Sequence, residues 1–357
     1  MSIFNKFFRK EKPVFTGYRF GFGAGGGGGA AEIVNTFEVS GGNATSTAGD
    51  YKYFYFTSPG NLSVAKTVGT GELEMSFMLI GAGGGGTSTG GGGGGAGAFV
   101  QKIDYPITGV PGSPVDWAVD IGTAVTSPYQ SDGNPSTFTI PTAPKTFTAN
   151  GGGKGTQTSG ATGGSGGGGG RGSPNAGAAS NVPQTIDGSG NTPDTGIGHA
   201  GGNGATNFPD TGGGTGGGGG GAGGTGYASP GTDNQPYESI VAGQGGDGRA
   251  AFLGDPGVSS SYGTTGPGPG RYFAGGGGGG NHSKAGPGDS PGGIAGFGGG
   301  ASGSPRNSPN FGGTPVTANT GGGGGGGGGT SNGFVGAGSA GANGICIVRI
   351  AQENISN

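Results

Sequence analysis

The feature that most constrains this chain is its recurring runs of consecutive glycine, the longest of which covers residues 321–329. Shorter runs occur at residues 25–29, 83–86, 90–95, 166–170, 216–221 and 275–280. A run without side chains cannot bury apolar surface, and ordering it costs roughly 1–2 kcal/mol of backbone entropy per residue. Any order in these runs therefore has to come from hydrogen bonds and close contacts of the backbone itself.

The regular conformation that lets such runs pack side by side is the polyproline II type helix, which has three residues per turn and no internal hydrogen bonds. Its amide and carbonyl groups point outward and pair with neighbouring runs, and only glycine lets the backbones approach so closely. A flexible linker or low-complexity coil is the alternative interpretation of the same composition. The runs recur through the whole chain and alternate with segments that contain apolar residues, which favours an ordered bundle.

Composition narrows the possible classes of protein. Glycine accounts for 105 of 357 residues without a strict Gly-X-Y period, which excludes a collagen triple helix. Leu, Ile, Val and Phe together make up about 15% of the chain, below the usual share for a globular core. The net charge of −3 provides no basic field, so we expect no nucleic-acid partner.

The sequence also argues against a disulfide framework, a His/Cys metal cluster and a membrane-spanning segment. Cys346 is the one cysteine, and His199 and His282 are isolated, so the sequence predicts neither a disulfide framework nor a His/Cys metal cluster. It contains no stretch of 18 apolar residues, and we expect no membrane insertion.

The N-terminal segment, residues 1–23, differs from everything after it. Phe4, Phe7 and Phe8 fall on one helical face, and basic residues including Arg9 surround them. A membrane-surface helix, a docking tail and a frayed basic terminus are all compatible with this pattern. Docking is favoured because so short a peptide gains stability mainly from a partner groove. Phe4, Phe7, Phe8 and Arg9 are therefore the candidate residues for attachment to other proteins of a larger assembly.

Residues 24–126 are predicted to form a small antiparallel β-module together with residues 345–357. Short β-branched and aromatic runs separated by Gly, Pro, Asn and Ser are typical of such a module, and they occur at residues 32–39, 52–57, 62–64, 72–80, 99–103 and 117–121. Residues 345–350 are too apolar to stand alone and are expected to pair with this module. The predicted fold is therefore mainly β and irregular, with the C-terminal strand closing the module.

Residues 127–344 are then predicted to be a bundle of polyproline II type poly-Gly helices with exposed loops. The interior glycines chosen to represent this scaffold are Gly93, Gly168, Gly218, Gly278 and Gly325. Isolated aromatic residues in this region either pack over the bundle or are displayed as stacking groups for a sugar or protein ligand. The candidates for receptor contact are Tyr227, Tyr237, Tyr262, Tyr272, Phe273 and Phe311.

Motifs for catalysis are not supported. The G-x-G-x-x-G pattern matches in many places because the runs are glycine, so it carries no information. Residues 151–156 superficially resemble a phosphate-binding loop, but Gly155 stands where Ser or Thr should follow Lys154. We therefore predict that the protein is not an enzyme and has no cofactor.

The order of features along the chain resembles a known family. A Phe-Thr-Ser-Pro-Gly sequence at residues 56–60 precedes an apolar strand at 77–80, which runs into Gly-Ala-Gly-Gly-Gly-Gly at 81–86. The block at 91–99, residues 132–138, repeated glycine blocks and a closing strand at 344–350 follow. Over about residues 50–350 this order resembles the glycine-rich domain of bacteriophage tail-fibre and other virion proteins. It is also similar in architecture to the tip adhesins of T-even phages, in which poly-Gly helices are sandwiched. Residues 1–23 have no counterpart in that family.

The resemblance implies a structural protein on the exterior of the virion, most often a tail fibre or tip adhesin. Its loops would recognise a glycan or protein of the host surface, and the N-terminal segment would bind other virion proteins. Fibres of this class are commonly trimers, which implies a homo-oligomer, although the bundle could also close within one chain. A capsid decoration or filament subunit with a purely structural role is the main alternative, and a surface protein of the host is another.

Overall fold

The chain is mainly β-sheet, with almost no helix, in the part that the structure describes. The structure is a computed structural model that describes residues 35–124, 131–172, 175–180, 186–205, 213–230, 241–283, 291–306, 314, 316–330 and 336–356. Helix in these ranges is confined to two short 3₁₀ turns, Ala251–Leu253 and Gln352–Asn354. The candidate docking residues Phe4, Phe7, Phe8 and Arg9, and the candidate contact residues Tyr237 and Phe311, lie outside the described residues.

Ten strands of five or more residues build two sheets. They are β1 (Thr36–Gly41), β2 (Ala44–Ala48), β3 (Tyr51–Phe56), β4 (Gly60–Val68), β5 (Leu73–Ile80), β6 (Phe99–Ile107), β7 (Val115–Asp120), β8 (Ser136–Ile140), β9 (Lys145–Ala149) and β15 (Ile345–Ala351). Shorter strands lie between them: β10 (Gly214–Thr215), β11 (Arg249–Ala250), β12 (Tyr272–Phe273), β13 (Asn281–Ser283) and β14 (Gly329–Thr330).

The two large sheets are antiparallel and have five strands each. Their strand orders are β1-β4-β7-β8-β9 and β2-β3-β15-β5-β6. In the second sheet, β15 lies between β3 and β5, so that Val348 is opposite Phe54 on one side and Phe77 on the other. The predicted pairing of the C-terminal strand with the N-terminal strands is therefore confirmed.

The second sheet is buried on both faces. One face packs on the first sheet through a core that includes Phe54, Phe56, Phe77, Leu79, Trp117, Phe138, Phe147, Cys346 and Val348. The opposite face, with Tyr53, Tyr55, Met78, Ile80, Ile345 and Ile347, packs against Phe252, Val258 and Phe273 from the segment after residue 250. Burial on both faces explains why β3, β5 and β15 are almost continuously apolar instead of alternating with polar residues.

Strands β2, β8 and β9 are not among the strands that the sequence predicts. β8 and β9 follow residue 126, where the predicted β-module ends, yet they extend the first sheet beyond β7. In both strands threonine alternates with buried Phe138, Ile140 and Phe147. One or two inward-facing apolar residues per strand are enough when the neighbouring strands supply the rest of the core, but they give a weak signal in the sequence.

Glycine-rich segments occupy most of the rest of the described chain and hydrogen-bond to one another through their backbones. Together they form the glycine array, which comprises residues 81–98, 150–172, 175–180, 196–205, 213–230, 241–248, 274–283, 291–306, 320–330 and 336–344. Few of these residues belong to a strand, and none belongs to a helix.

One end of the glycine array rests on the second sheet. Ala96, Ile197, Ala222 and Ala274 join the apolar cluster on the outer face of that sheet. Residues 81–98 leave the sheet at the end of β5 and return to it at the start of β6, so this segment reaches away from the sheet and comes back. The β-sheets therefore form a base from which the array extends.

Candidate interaction surface

Residues 90–98 lie inside the glycine array, and their amides follow a period of three. Every third amide donates to the same neighbouring segment, over distances of 2.8–3.1 Å: Gly92 to Thr156, Gly95 to Gly153, and Ala98 to Asn150. The amides between them donate to two other segments over distances of 2.7–3.0 Å. Gly93 donates to Gly217 and Ala96 to Gly220 in one segment, and Gly94 donates to Gly324 and Gly97 to Gly321 in the other. Each turn of the backbone is therefore tied to three different neighbours.

The five predicted scaffold glycines have no room for a side chain. A Cβ built on any of them would lie well inside 3.0 Å of a backbone oxygen, a separation that real Cβ atoms essentially never show. The backbone oxygen that the Cβ would overlap belongs to Gly277 at Gly93, to Gly217 at Gly168, to Gln244 at Gly218, to Gly293 at Gly278, and to Ser302 at Gly325. Because the obstacle is backbone in every case, neither residue can move aside without disturbing a hydrogen-bonded segment.

The same period of three governs which side chains reach the surface of the outer segments. In residues 241–248, Gln244 and Asp247 are exposed and Val241 is half-buried, while the residues between them are buried. In residues 291–298, the exposed positions are Pro291, Ile294 and Phe297. In such a segment every third side chain points in the same direction. The outward positions can therefore carry side chains of any size without changing the contacts that the segment makes inside the array.

Three outer segments lie side by side and create one continuous surface. The Tyr227 amide donates to the Gln244 carbonyl at 2.8 Å, and the Gly245 amide donates to the Ile294 carbonyl at 2.8 Å. Their outward residues form the lateral face, which consists of Tyr227, Pro230, Val241, Gln244, Asp247, Pro291, Ile294 and Phe297. The backbone bonds fix the order of these side chains across the face.

The lateral face exposes large apolar side chains. Tyr227 is 61% exposed, Ile294 62% and Phe297 50%. A groove of about 420 Å³ runs between Tyr227 and Pro230 on one side and Val241 and Gln244 on the other. Large apolar side chains exposed close together commonly mark an interaction site.

The described aromatic candidates for receptor contact have different environments. Tyr227 lies on the lateral face. The Tyr262 ring stacks on Tyr55 with ring centroids 4.5 Å apart, and the Tyr272 hydroxyl accepts a hydrogen bond from the Gly268 amide at 3.0 Å. Phe273 is fully buried against the second sheet, so its candidate role as a contact residue is wrong: it is a core residue, because β12 turns its ring inward.

Of the eight residues of the lateral face, seven were not among the sequence candidates for receptor contact, and Tyr227 was. The spacing 241/244/247 and 291/294/297 is visible in the sequence, but the same spacing also occurs inside the array. Which third of the residues faces outward depends on which segments are neighbours, and that is a property of the folded array.

The end of the array away from the sheets brings together residues from several of its segments. The Gly172 amide donates to the Ala205 carbonyl at 3.1 Å, and the Ser229 hydroxyl donates to the Val241 carbonyl at 3.2 Å. At the same end, β13 pairs with both β10 and β14. Backbone and side-chain hydrogen bonds therefore hold these segments together at this end of the array.

Two features are absent from the described part of the chain, a metal-ion cluster and a membrane-spanning helix. No group of three or more His, Cys, Asp or Glu side chains lies close enough to hold a metal ion there. Within the same ranges, no helix has both the length and the apolar character needed to cross a membrane.

Comparison with known proteins adds no relative. No protein-family model matches the sequence, and no curated protein is similar to it. The resemblance to glycine-rich virion proteins therefore stays a prediction.

Proposed function

We propose that this protein is a non-enzymatic structural protein on the exterior of a bacteriophage particle, a tail fibre or tip adhesin that recognises the host surface. The main support is that the glycine array is held by backbone hydrogen bonds while its outward positions carry exposed side chains. Loops on a rigid scaffold are a common way to carry recognition, because their sequence can change at little cost to the fold.

We further propose that the segments of the array are polyproline II type helices. The period of three in the amide hydrogen bonds of residues 92–98 supports this, because that helix has three residues per turn. Each backbone hydrogen bond contributes only about 0.5–1.5 kcal/mol, so the array is stable as a set and not segment by segment. Amide exchange at residues 92–98 as fast as in a free peptide would contradict this proposal.

In the proposed particle, residues 1–23 bind other virion proteins, with Phe4, Phe7, Phe8 and Arg9 as the contact residues. The protein forms a homo-oligomer, with a trimer expected from the family resemblance, and it carries no cofactor. Co-purification with virion components that is lost when residues 1–23 are removed would support this attachment.

The direct test is competition. Purified protein, added to host cells before the phage that encodes it, is expected to block adsorption in a concentration-dependent way. An unchanged adsorption rate at saturating protein would contradict the adhesin role.

The alternative is a capsid decoration or filament subunit with no receptor. The exposed Ile294 and Phe297 give it some support, because a neighbouring copy could cover them. That role predicts many regularly arranged copies on the particle and no effect on adsorption.

A further inference from the structure

We propose that the lateral face is a binding site for a neutral glycan, a role that rests on the proposed function and assigns its ligand class. Sugar rings present C–H groups on their faces and hydroxyl groups around their rims. A site for them therefore combines exposed apolar or aromatic side chains with amide or carboxylate groups. The lateral face has both, within three adjacent segments of the array.

The aromatic and polar side chains are interleaved across the face. Tyr227 is next to Gln244 across one backbone hydrogen bond, and Ile294 follows on the third segment. One turn further along, the Phe297 amide donates to Asp247 Oδ1 at 3.1 Å, which places that carboxylate beside the Phe297 backbone. Tyr227 and Phe297 thus lie toward opposite corners, with the amide and the carboxylate between them.

The charge of the face favours a neutral ligand. Asp247 is the single charged residue among its eight members, and no lysine or arginine is among them. An acidic glycan or a phosphate group would meet a carboxylate without a compensating cation, which is unfavourable. A neutral sugar can donate its hydroxyl protons to that carboxylate and to the side-chain amide oxygen of Gln244.

The size of the face argues against a second copy of this chain as its occupant. Residues 241–247 and 291–297 each span about 19 Å at about 3.1 Å per residue, and three segments about 5 Å apart are about 15 Å wide, which gives a surface of roughly 300 Å². A stable protein–protein interface buries about 800 Å² on each partner. A short stretch of glycan fits the smaller area, and its repeating units suit a surface that is itself periodic.

The rigidity of the backbone is a further advantage for a sugar ligand. The groove beside Tyr227 is bordered by segments whose amides are already hydrogen-bonded to the interior of the array, such as Gly243 to Gly216 at 2.9 Å. The side chains are therefore carried on a backbone that does not have to be ordered on binding, which lowers the entropic cost of association.

The test measures binding of the full chain to immobilised oligosaccharides, a neutral set and an acidic set, by biolayer interferometry. We expect the wild-type protein to bind at least one neutral oligosaccharide, and Tyr227→Ala and Phe297→Ala to weaken that binding at least tenfold. Tyr227→Phe keeps the ring and should bind within about threefold of wild type. The matched control is Val68→Ala, which truncates another exposed apolar residue on β4, 51% exposed, and should bind like wild type.

Unfolding curves of each variant show whether the array is intact, and these exposed truncations should leave the midpoint unchanged. Three results would overturn the inference: no neutral oligosaccharide is bound, only acidic ones are bound, or Tyr227→Ala and Phe297→Ala bind as well as wild type. Self-association in sedimentation that Phe297→Ala abolishes, without glycan binding, would overturn it in favour of a contact between copies.

Adsorption measurements separate this inference from the proposed function. If the wild-type protein blocks phage adsorption and both alanine variants block it equally well, the adhesin role stands and the lateral face is not its site. If the protein binds neutral glycans through Tyr227 and Phe297 but never blocks adsorption, the glycan site stands and the adhesin role fails.

Discussion

The Tyr53 hydroxyl donates a 2.7 Å hydrogen bond to Asp255 Oδ2, although the two residues are 202 positions apart in the sequence. Arg349 Nη1 forms an ion pair with the same carboxylate oxygen. The Arg349 guanidinium also lies over the rings of Tyr51 and Phe252, at 4.5 and 4.6 Å from their centroids. This cluster joins β3 and β15 of the second sheet to residues 252–255, which lie in the chain between two segments of the glycine array.

Asp255→Asn is expected to lower the free energy of unfolding by about 3 kcal/mol. The side chains of Asp255 and Arg349 are only 14% and 10% exposed, and removing one partner of a buried pair leaves the other charge uncompensated. Chemical denaturation measures the loss. The matched control is Glu74→Gln, an exposed carboxylate on β5, which should stay within about 0.5 kcal/mol of wild type. Equal effects of the two substitutions would show that the buried pair contributes nothing.

The same carboxylate should make stability depend on pH. Burial acts to raise the pKa of Asp255, but hydrogen bonds from Tyr53 and the Gly257 amide and the nearby Arg349 outweigh it, so the pKa is lowered. A lowered pKa stabilises the fold above the unfolded value of about 3.9, and this contribution is lost as the pH falls through the folded value. Unfolding curves from pH 6 to pH 3 should therefore show falling stability, with a shallower fall in Asp255→Asn.

Some pH dependence should remain in Asp255→Asn. Asp194 has a lowered pKa as well: burial opposes the shift, but hydrogen bonds and ion pairs with Lys145 and Lys102 outweigh it. An Asp255→Asn curve parallel to the wild-type curve would mean that Asp255 has the same pKa in the folded and unfolded chains.

Alanine at an interior glycine should destabilise the array. Gly218→Ala and Gly325→Ala each place a methyl group against a backbone oxygen, and we expect a loss of about 3 kcal/mol, the upper end for overpacking. Gly188→Ala is the matched control, because an added Cβ there has no atom within 4 Å. Thermal unfolding followed by circular dichroism compares the three variants. If all three unfold at the wild-type temperature, the close packing of the array is wrong.

Cys346 should report on the opening of the second sheet. Burial raises the pKa of its thiol, which keeps it protonated and unreactive in the folded protein. A chromogenic disulfide reagent should therefore react with the native protein only as fast as the protein unfolds, and faster with Asp255→Asn. Complete reaction of native protein within the mixing time would contradict the central position of β15.

The sequence is most informative where the physics is local. Continuous apolar runs predict β3, β5 and β15, and a strand that apolar needs partners on both sides. Long glycine runs likewise predict an array held by its backbone, because nothing else in residues such as 321–329 can provide order. β8 and β9 are harder to predict, since threonine on their outer positions hides a pattern that depends on only a few buried residues.

The candidate surface is less predictable for a different reason. Tyr227 stands out because it is an isolated aromatic residue, and so does Phe273, yet one is exposed and the other is buried. Phe273 lies in strand β12, which packs on the second sheet, whereas Tyr227 lies in a segment of the array that repeats every three residues, where a side chain has three possible directions. The choice among them is made by neighbours that come from distant parts of the chain.

The place of β15 between β3 and β5 has a consequence for biosynthesis. Residues 51–80 leave the ribosome well before residues 345–351, so β3 and β5 are synthesised long before the strand that pairs with both of them. A message cut short anywhere before that strand yields a product with bare strand edges, which favours clumping over a shorter working molecule. Truncated copies are therefore expected to be removed by precipitation or proteolysis.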